Sequence, residues 1–471
     1  MVGRIVFRRA PVVLAVLMLA ACALDPSPDI RQLTQTELSH TRLPQSWKSA
    51  ATAGATKDDW LTDFGDPRLA PLVQEALAWN VDLKTAAARV EAARSAVNAS
   101  AQGLYPTANL IGRSSGSATG ASGQLSGGVL SASWDLDLWG RIRYGQRAVQ
   151  DQYASAQADA FYARQSIVAN LVVAWYMAAE LVQQKALTGE MTAVAQQLWQ
   201  LAQDRQRVGV GSSTDVAQAA STLQSYTDSE KQVELALSQA QRALELILGR
   251  YPAAEIALPH SLGKAPAPVS AGLPSELLER RPDVSAAALR VSAAFARVGE
   301  AKAARLPSVS LTAALSSISS SVFVLQDVNN PSLGLGATLI YPVFNGGQLE
   351  AQVQFRTAEQ QEAAAAFAMT AQKAFNEVES ALAAEASLKD RAPIVSQGLA
   401  ESRRALALEQ VRFRVGSRDM RSVAQLQMAA LAAQLPQLRL QTEQRVQRVK
   451  LHLALGSQFE PAQPVTPVAS R

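Results

Sequence analysis

The sequence predicts an α+β chain made of two similar halves, each with a pair of strands set between long helices. Three observations predict it. The chain matches itself at an offset of about 200 residues. Four short segments alternate apolar and polar residues, the pattern of strands with two unlike faces. Two stretches, 141–207 and 348–414, are rich in Ala, Gln, Leu, Glu and Arg and hold almost no helix breakers. At 471 residues the chain exceeds what one hydrophobic core supports, and 48% hydrophobic with 18% charged residues excludes a disordered chain.

Residues 1–21 combine a basic start (Arg4, Arg8, Arg9), an apolar run from Val12 to Ala21, and small residues before Cys22. This is the pattern of a cleaved secretory signal, too short to span a bilayer as a mature helix. Setting the leader arginines aside leaves 41 basic against 40 acidic residues. The basic excess therefore lies in the leader, and no nucleic-acid partner is expected. Cys22 is the only cysteine, which excludes an intrachain disulfide and a CxxC metal site. Leu19-Ala20-Ala21-Cys22 resembles a bacterial lipobox, in which the thiol is acylated. A lipid on Cys22 is the one covalent group expected, with no other cofactor. Residues 22–59 then form a lipidated N-terminal segment.

The repeats follow at 60–250 and 275–456, joined by a linker at 251–274 and followed by a flexible tail at 457–471. At an offset of 201, nine of 25 positions match, among them Asp82, Arg89 and Pro106 on Asp283, Arg290 and Pro307. At an offset of 207, Arg205-x-Arg207-Val208-Gly209 falls on Arg412-x-Arg414-Val415-Gly416, and Leu244-x-Leu246-x-Leu248-Gly249 on Leu451-x-Leu453-x-Leu455-Gly456. Each half reads as helix, two strands, long helix, return helix.

In the first half Leu130, Ala132, Trp134, Leu136 and Leu138 alternate with Ser131, Ser133, Asp135 and Asp137, and Thr107 to Gly112 is a weaker candidate. In the second, Val309, Leu311, Ala313 and Leu315 alternate with Ser308, Ser310 and Thr312, and Leu333, Leu335, Ala337, Leu339 and Tyr341 form another apolar face. Ser/Gly-rich connections such as Ser114 to Gly128 suit exposed loops. Periodicity leaves two readings open: a half-buried sheet packed on helices, or barrel strands with lipid on one side and water on the other.

The breaker-poor stretches imply rods of roughly 100 Å at 1.5 Å per residue, with Pro393 adding a kink or break to the second. Val208-Gly209 and Val415-Gly416 end the rods, and the Ser, Thr and Asp residues after each glycine start the return helices. The two turns should sit together at one end.

Four motifs resemble the outer membrane factor family, the TolC-like channels of tripartite efflux pumps. They are Trp60-x-x-x-Phe64-x-Asp66-Pro67-x-Leu69; Trp134-x-Leu136-Asp137-Leu138-Trp139-Gly140-Arg141; Gly272-Leu273-Pro274-Ser275-x-Leu277-Leu278-x-Arg280-Arg281-Pro282-Asp283; and Tyr341-Pro342-x-Phe344-Asn345-Gly346-Gly347. The third, with the lipobox, is similar to the lipoprotein branch that serves proton-driven transporters. The resemblance implies a membrane protein that is a homotrimer. Three chains would each give four strands to one twelve-stranded outer-membrane barrel, which continues into a periplasmic helical barrel. It also implies a periplasmic adaptor, an inner-membrane transporter and outer-membrane lipid as partners, with passive efflux of small molecules as the function. A type I protein-secretion duct and a pore-free lipid-anchored coiled-coil scaffold are the alternatives.

In the family, aspartates past the second turn glycine close the periplasmic tip; the matching positions are Ser422 and Gln425, neither acidic. Asp215 and Asp419 are the acids near the turns. With Arg205, Arg207, Gly209, Arg412, Arg414, Gly416 and Arg418 they are the candidates for gate or adaptor contact. No phosphate loop, nucleophile elbow or HExxH stands in the chain, and His40, His260 and His452 lie far apart, so no enzyme activity and no metal site is expected.

Overall fold

The computed structural model describes residues 26–49, 56–115, 125–320 and 332–460, with Leu24 and Gly54. Cys22, the signal peptide and the tail from 461 lie outside the described residues, as do 116–124 of the Ser/Gly-rich connection.

The elements, in chain order, are α1 (Ile30–Glu37), α2 (Leu69–Trp79), α3 (Val81–Ala101), β1 (Thr107–Ser115), β2 (Leu125–Leu136), α4 (Arg141–Arg207), α5 (Ser213–Ile247), α6 (Pro274–Arg280), α7 (Pro282–Ala303), β3 (Ser308–Ser320), β4 (Ser332–Ile340), α8 (Gln348–Arg414), α9 (Met420–Ala432) and α10 (Gln434–Ala454). The order helix, strand, strand, long helix, return helix occurs twice. Both rods have 67 residues. α8 runs through Pro393 without a break, contrary to one expectation. The break falls instead in the second return helix, between α9 and α10 at Ala433. Pro436 lacks the N–H that would reach back to Ala432, and its ring crowds that carbonyl; the matching residue of the first repeat is Ser229, and α5 is continuous. A further helix, α1, went unforeseen in the N-terminal segment. It starts from a reciprocal cap, in which Asp29 accepts from the N–H of Gln32 and Gln32 accepts from that of Asp29.

Contacts divide the chain into two compact units. The first comprises 1–42, 87–159 and 283–370, and holds the sheet. Its four strands are antiparallel in the order β1-β2-β3-β4, so the two repeats meet at β2 and β3. β2 starts at Leu125, inside the run expected as a loop. Gly127 and Gly128 extend the ladder there against Arg113 and Gly112, and the Cβ positions of Gly112 and Gly128 face open space. The register stacks Leu130, Leu315 and Leu333 in one row, Ala132, Ala313 and Leu335 in the next and Trp134, Leu311 and Ala337 in the one after, while Ser133, Thr312 and Gly336 share a row on the opposite face. α4 and α7 approach closely in this unit: a Cβ on Gly299 would lie 2.5 Å from the Tyr144 ring, and Ser155 Oγ donates to the Ala286 carbonyl at 3.1 Å.

The second unit comprises 43–86, 160–282 and 371–471. Its core joins Trp60, Phe64, Leu69 and Val73 to Val172, Trp175 and Tyr176 of α4, Leu244 of α5 and Val449 of α10. One window of α4 is apolar enough to cross a membrane, and half of it is buried within the protein. Burying such side chains contributes about 1.5–3 kcal/mol each, which is why this part of a polar rod turns apolar.

The linker carries no helix or strand before Pro274 but is pinned by buried charges. The Glu245 carboxylate accepts the N–H groups of Ala254, Glu255 and Ile256 at 2.7, 2.7 and 3.0 Å. Burial alone would raise its pKa; these three bonds outweigh that and hold it below the ordinary value. Arg445 donates to the carbonyls of Leu262 and Gly263. Within the segment expected as a flexible tail, Ser457 and Phe459 are instead buried.

Candidate functional site

Two features stand out as functional surfaces. The first is the sheet. Its apolar rows are bare: Leu110 is 78% exposed and Leu335 79%, with Leu333, Leu339 and Leu130 also open. A soluble sheet buries such a face under helices; here no described helix covers either face. At the strand ends nearest the helices stand Tyr105, Trp134, Tyr341 and Phe344, all exposed. An apolar band ending in aromatic residues is the pattern of a strand in lipid. The opposite face carries Ser131, Ser133, Asp135, Ser310, Thr312 and Thr338. Asp137, on the polar side of the alternation in the sequence, is no solvated acid. It is nearly buried, accepts the N–H of Ile142 and of Arg143, and pairs with the Arg143 guanidinium at 3.0 Å, starting α4. The sharp turn at Gly140, with φ of +74°, folds the helix start back onto it.

The second feature lies in the other unit, where the turns of the two repeats meet. Gly209 and Gly416, with φ of +77° and +75°, end α4 and α8, and the Val210 and Ser417 N–H groups close on the Arg205 and Arg412 carbonyls. Ser212 then caps α5, bonded reciprocally to Asp215. In the second repeat the two residue types change places: Asp419 is the cap and accepts from Ser422 N–H at 3.0 Å and Oγ–H at 2.8 Å. Ser422 is thus tied into the cap. From these caps two ion pairs cross between the repeats, Arg205 to Asp419 at 3.9 Å and Arg421 to Asp215 at 3.8 Å. A cavity of about 130 Å³ opens beside them, walled by Leu198, Gln218 and Gln425 as well as Arg205, Asp215 and Arg421.

The other candidates are occupied differently. Arg207 pairs with Asp204 on its own helix. Arg412 and Arg418 both face Glu409, at 3.6 Å each. Arg414 is exposed and takes part in no ion pair found among the described residues. Glu409, buried though charged, and the cross-repeat role of Arg421 were missed. No signal in a helical sequence marks a glutamate as buried, and the arginine finds its acid only through the tertiary contact. Asp215 has its pKa lowered first by the Ser212 N–H and then by its hydroxyl; that of Asp419 is lowered first by the Ser422 hydroxyl and then by its N–H.

Among the described residues no three His, Cys, Asp or Glu side chains gather as metal ligands. His452 instead stacks on Trp60, 5.6 Å between centroids, with neither ring nitrogen hydrogen-bonded.

The family model described as outer membrane efflux protein matches residues 72–250 and 273–457. Among curated relatives, the cation efflux system protein CusC of Escherichia coli O6:H1 is 28% identical over 457 residues, 94% of this chain and 97% of that protein. Outer membrane protein OprJ of Pseudomonas aeruginosa is 28% identical over 464 residues, 95% of each. Among solved structures, that of CusC superimposes with a TM-score of 0.74 at 26% identity, covering 88% of this chain and 97% of the other.

Proposed function

The chain belongs to the outer membrane efflux protein family, and from that premise we propose that it is the outer membrane channel of a tripartite efflux pump. Solutes enter from the periplasm and leave through the barrel. The observation that carries the reading is the bare apolar face of a four-stranded antiparallel sheet. A pore-free scaffold requires that face to pack on the chain's own helices, and none of the described helices covers it.

β1 and β4 are open edges within one chain. A sheet in lipid tolerates no unpaired edge, and four strands are too few to close, so the barrel is completed by further copies of the chain. The family resemblance sets their number at three. The crossed pairs Arg205–Asp419 and Arg421–Asp215 hold the tip closed at rest, with Gln425 in the constriction and the exposed Val208, Val210 and Val415 presented to a periplasmic adaptor. Each pair is half-exposed and individually weak, about 0–1 kcal/mol, so closure depends on their repetition around the ring. An inner-membrane transporter supplies the energy, and acyl chains on Cys22 anchor the chain.

The test is conductance of the purified protein in a planar bilayer. Discrete channels from a trimer support the reading, and a trimer that passes no current even with Arg205→Ala and Arg421→Ala, which free the tip, overturns it. Cys22→Ser tests the anchor separately by loss of acyl labelling.

A further inference from the structure

A cleft of about 410 Å³ opens in the first unit where β2 and β3 run into α4 and α7. Of its five strand residues the register assigns Asp135, Ser308 and Ile340 to the hydroxyl-bearing face of the sheet, where Asp135 pairs with Ser310 and Ser308 with Ile340, while Leu136 and Val309, paired on the apolar face, close it at the strand ends. Ile142, Leu306 and Leu349 supply an apolar wall.

Two carboxylates border this space, and only one is available. That of Asp137 is committed to the start of α4 and to Arg143. That of Asp135 is 59% exposed, and its ion-pair partner, Arg141 Nη2, stands 3.9 Å away, beyond hydrogen-bond distance. Among the described strand side chains on that face Asp135 is the only charge; its neighbours are Ser131, Ser133, Ser308, Ser310, Thr312 and Thr338. Trp139 borders the same cleft. Its indole N–H is spent on the Pro307 carbonyl at 2.7 Å, which fixes the ring and leaves its π face without a polar demand.

A free carboxylate beside an aromatic ring, over an apolar wall, is the combination that recognises organic cations, and the volume suits a compact amphiphile. We propose that this cleft is a transit subsite for amphiphilic organic cations at the inner end of the barrel lumen. The inference rests on the channel reading, which makes the hydroxyl-bearing face the lumen. The subsite is shallow and half-wet, so it holds its ligand weakly, as conduction requires of any site in a path. Arg141 acts against the ligand: it competes for Asp135 and repels the cation.

Single-channel recording of the full-length trimer tests this, with benzyltriethylammonium as the probe and benzenesulfonate as an anion of similar shape. Benzyltriethylammonium should give brief blocks of open channels and benzenesulfonate none. Asp135→Asn should weaken the block by about threefold to fivefold, the range of a half-exposed charge contact, and Asp135→Glu should restore it. Arg141→Gln should strengthen it. Equal block by the two ions, or block unchanged in Asp135→Asn, overturns the inference while the channel reading stands. A trimer without conductance in any form overturns both.

Discussion

Asn80 and Arg281 occupy the same place in the two repeats and do the same work with different chemistry. Asn80 Nδ2 donates to the carbonyl of Ile247 at 2.9 Å, and Arg281 Nη1 donates to that of Ala454 at 3.1 Å. Ile247 and Ala454 are themselves counterparts, each just before the glycine that ends a return helix. Those glycines press on the residues beside the donors: a Cβ on Gly249 would lie 2.7 Å from the Trp79 oxygen, and one on Gly456 3.1 Å from the Arg280 oxygen. Each repeat is thereby closed on its own beginning. Asn80 also starts α3, accepting from Asp82 and Leu83 N–H, whereas Arg281 is 1% exposed and pairs with Glu377 at 2.7 Å.

Asn80→Ala should cost about 1–3 kcal/mol, from a lost helix cap and an unpaired carbonyl. Arg281→Ala should cost about 3 kcal/mol, the lower end of the range for a broken buried pair, because Glu377 keeps some contact with water. Thermal unfolding of the solubilised trimer measures both, and a smaller loss for the arginine would contradict the account.

At the tip, Arg205→Ala or Arg421→Ala should raise open probability, and raised salt should do the same by screening half-exposed pairs. Mild acid should not. Asp215 and Asp419 are held below the ordinary 3.8, so their contribution is present above that value and lost only as pH falls through the depressed ones. Recordings at pH 7, 5 and 3 check this; opening already complete by pH 5 would assign closure to other groups.

His452 gives the second unit a different acid response. Burial, with Arg448 nearby, pulls its pKa down from 6.5 to about 3. The unfolded chain therefore binds a proton that the folded one refuses, and stability falls as pH drops below the unfolded value. Between pH 6.5 and 5 the loss should be about 1.6 kcal/mol, the proton uptake rising from half a proton to a full one per molecule. His452→Phe should flatten that slope in unfolding measured at each pH; an unchanged slope would place the proton elsewhere.

Leu335→Arg should cost about 2–4 kcal/mol of barrel stability if its row meets the bilayer midplane, while Thr338→Arg on the opposite face should cost far less. Heat resistance of the trimer on gels compares the two. Equal tolerance would contradict the assignment of faces.

The rods were legible to the residue because glycines punctuate them: Gly140 and Gly347 stand just before the rods, Gly209 and Gly416 just after. The strand alternation was legible as well, since its hydrophobic pattern survives the burial it predicts. The start of β2 was not, because Gly127 and Gly128 are strand residues only by virtue of their ladder partners. Nor were the tip contacts. Sequence brought together the right acids, Asp215 and Asp419, but offered several arginines at equal distance along the chain. Helix phase sends Arg207 and Arg412 to acids on their own helices, and leaves Arg205 and Arg421 to cross. The break before α10 follows from Pro436 alone, which a reading centred on Pro393 passed over.

Asp58 accepts from the N–H of Gln458 at 2.9 Å, and the Asp59 N–H donates back to the Gln458 carbonyl at 2.8 Å. The residues that open the first repeat and those that close the second are thus bonded side by side, while the repeats are joined elsewhere by a pinned linker. In topological terms the polypeptide describes a closed circuit with two seams, one covalent and one made only of hydrogen bonds. Exchanging them, by splicing 458 to 58 through a short spacer and cutting the exposed backbone after Lys264, beyond the carbonyls that Arg445 holds, leaves both repeats and their caps whole. Circular permutation of this kind treats the two repeats as interchangeable in order of synthesis. No property of the folded repeats then requires the order in which ribosomes now deliver them.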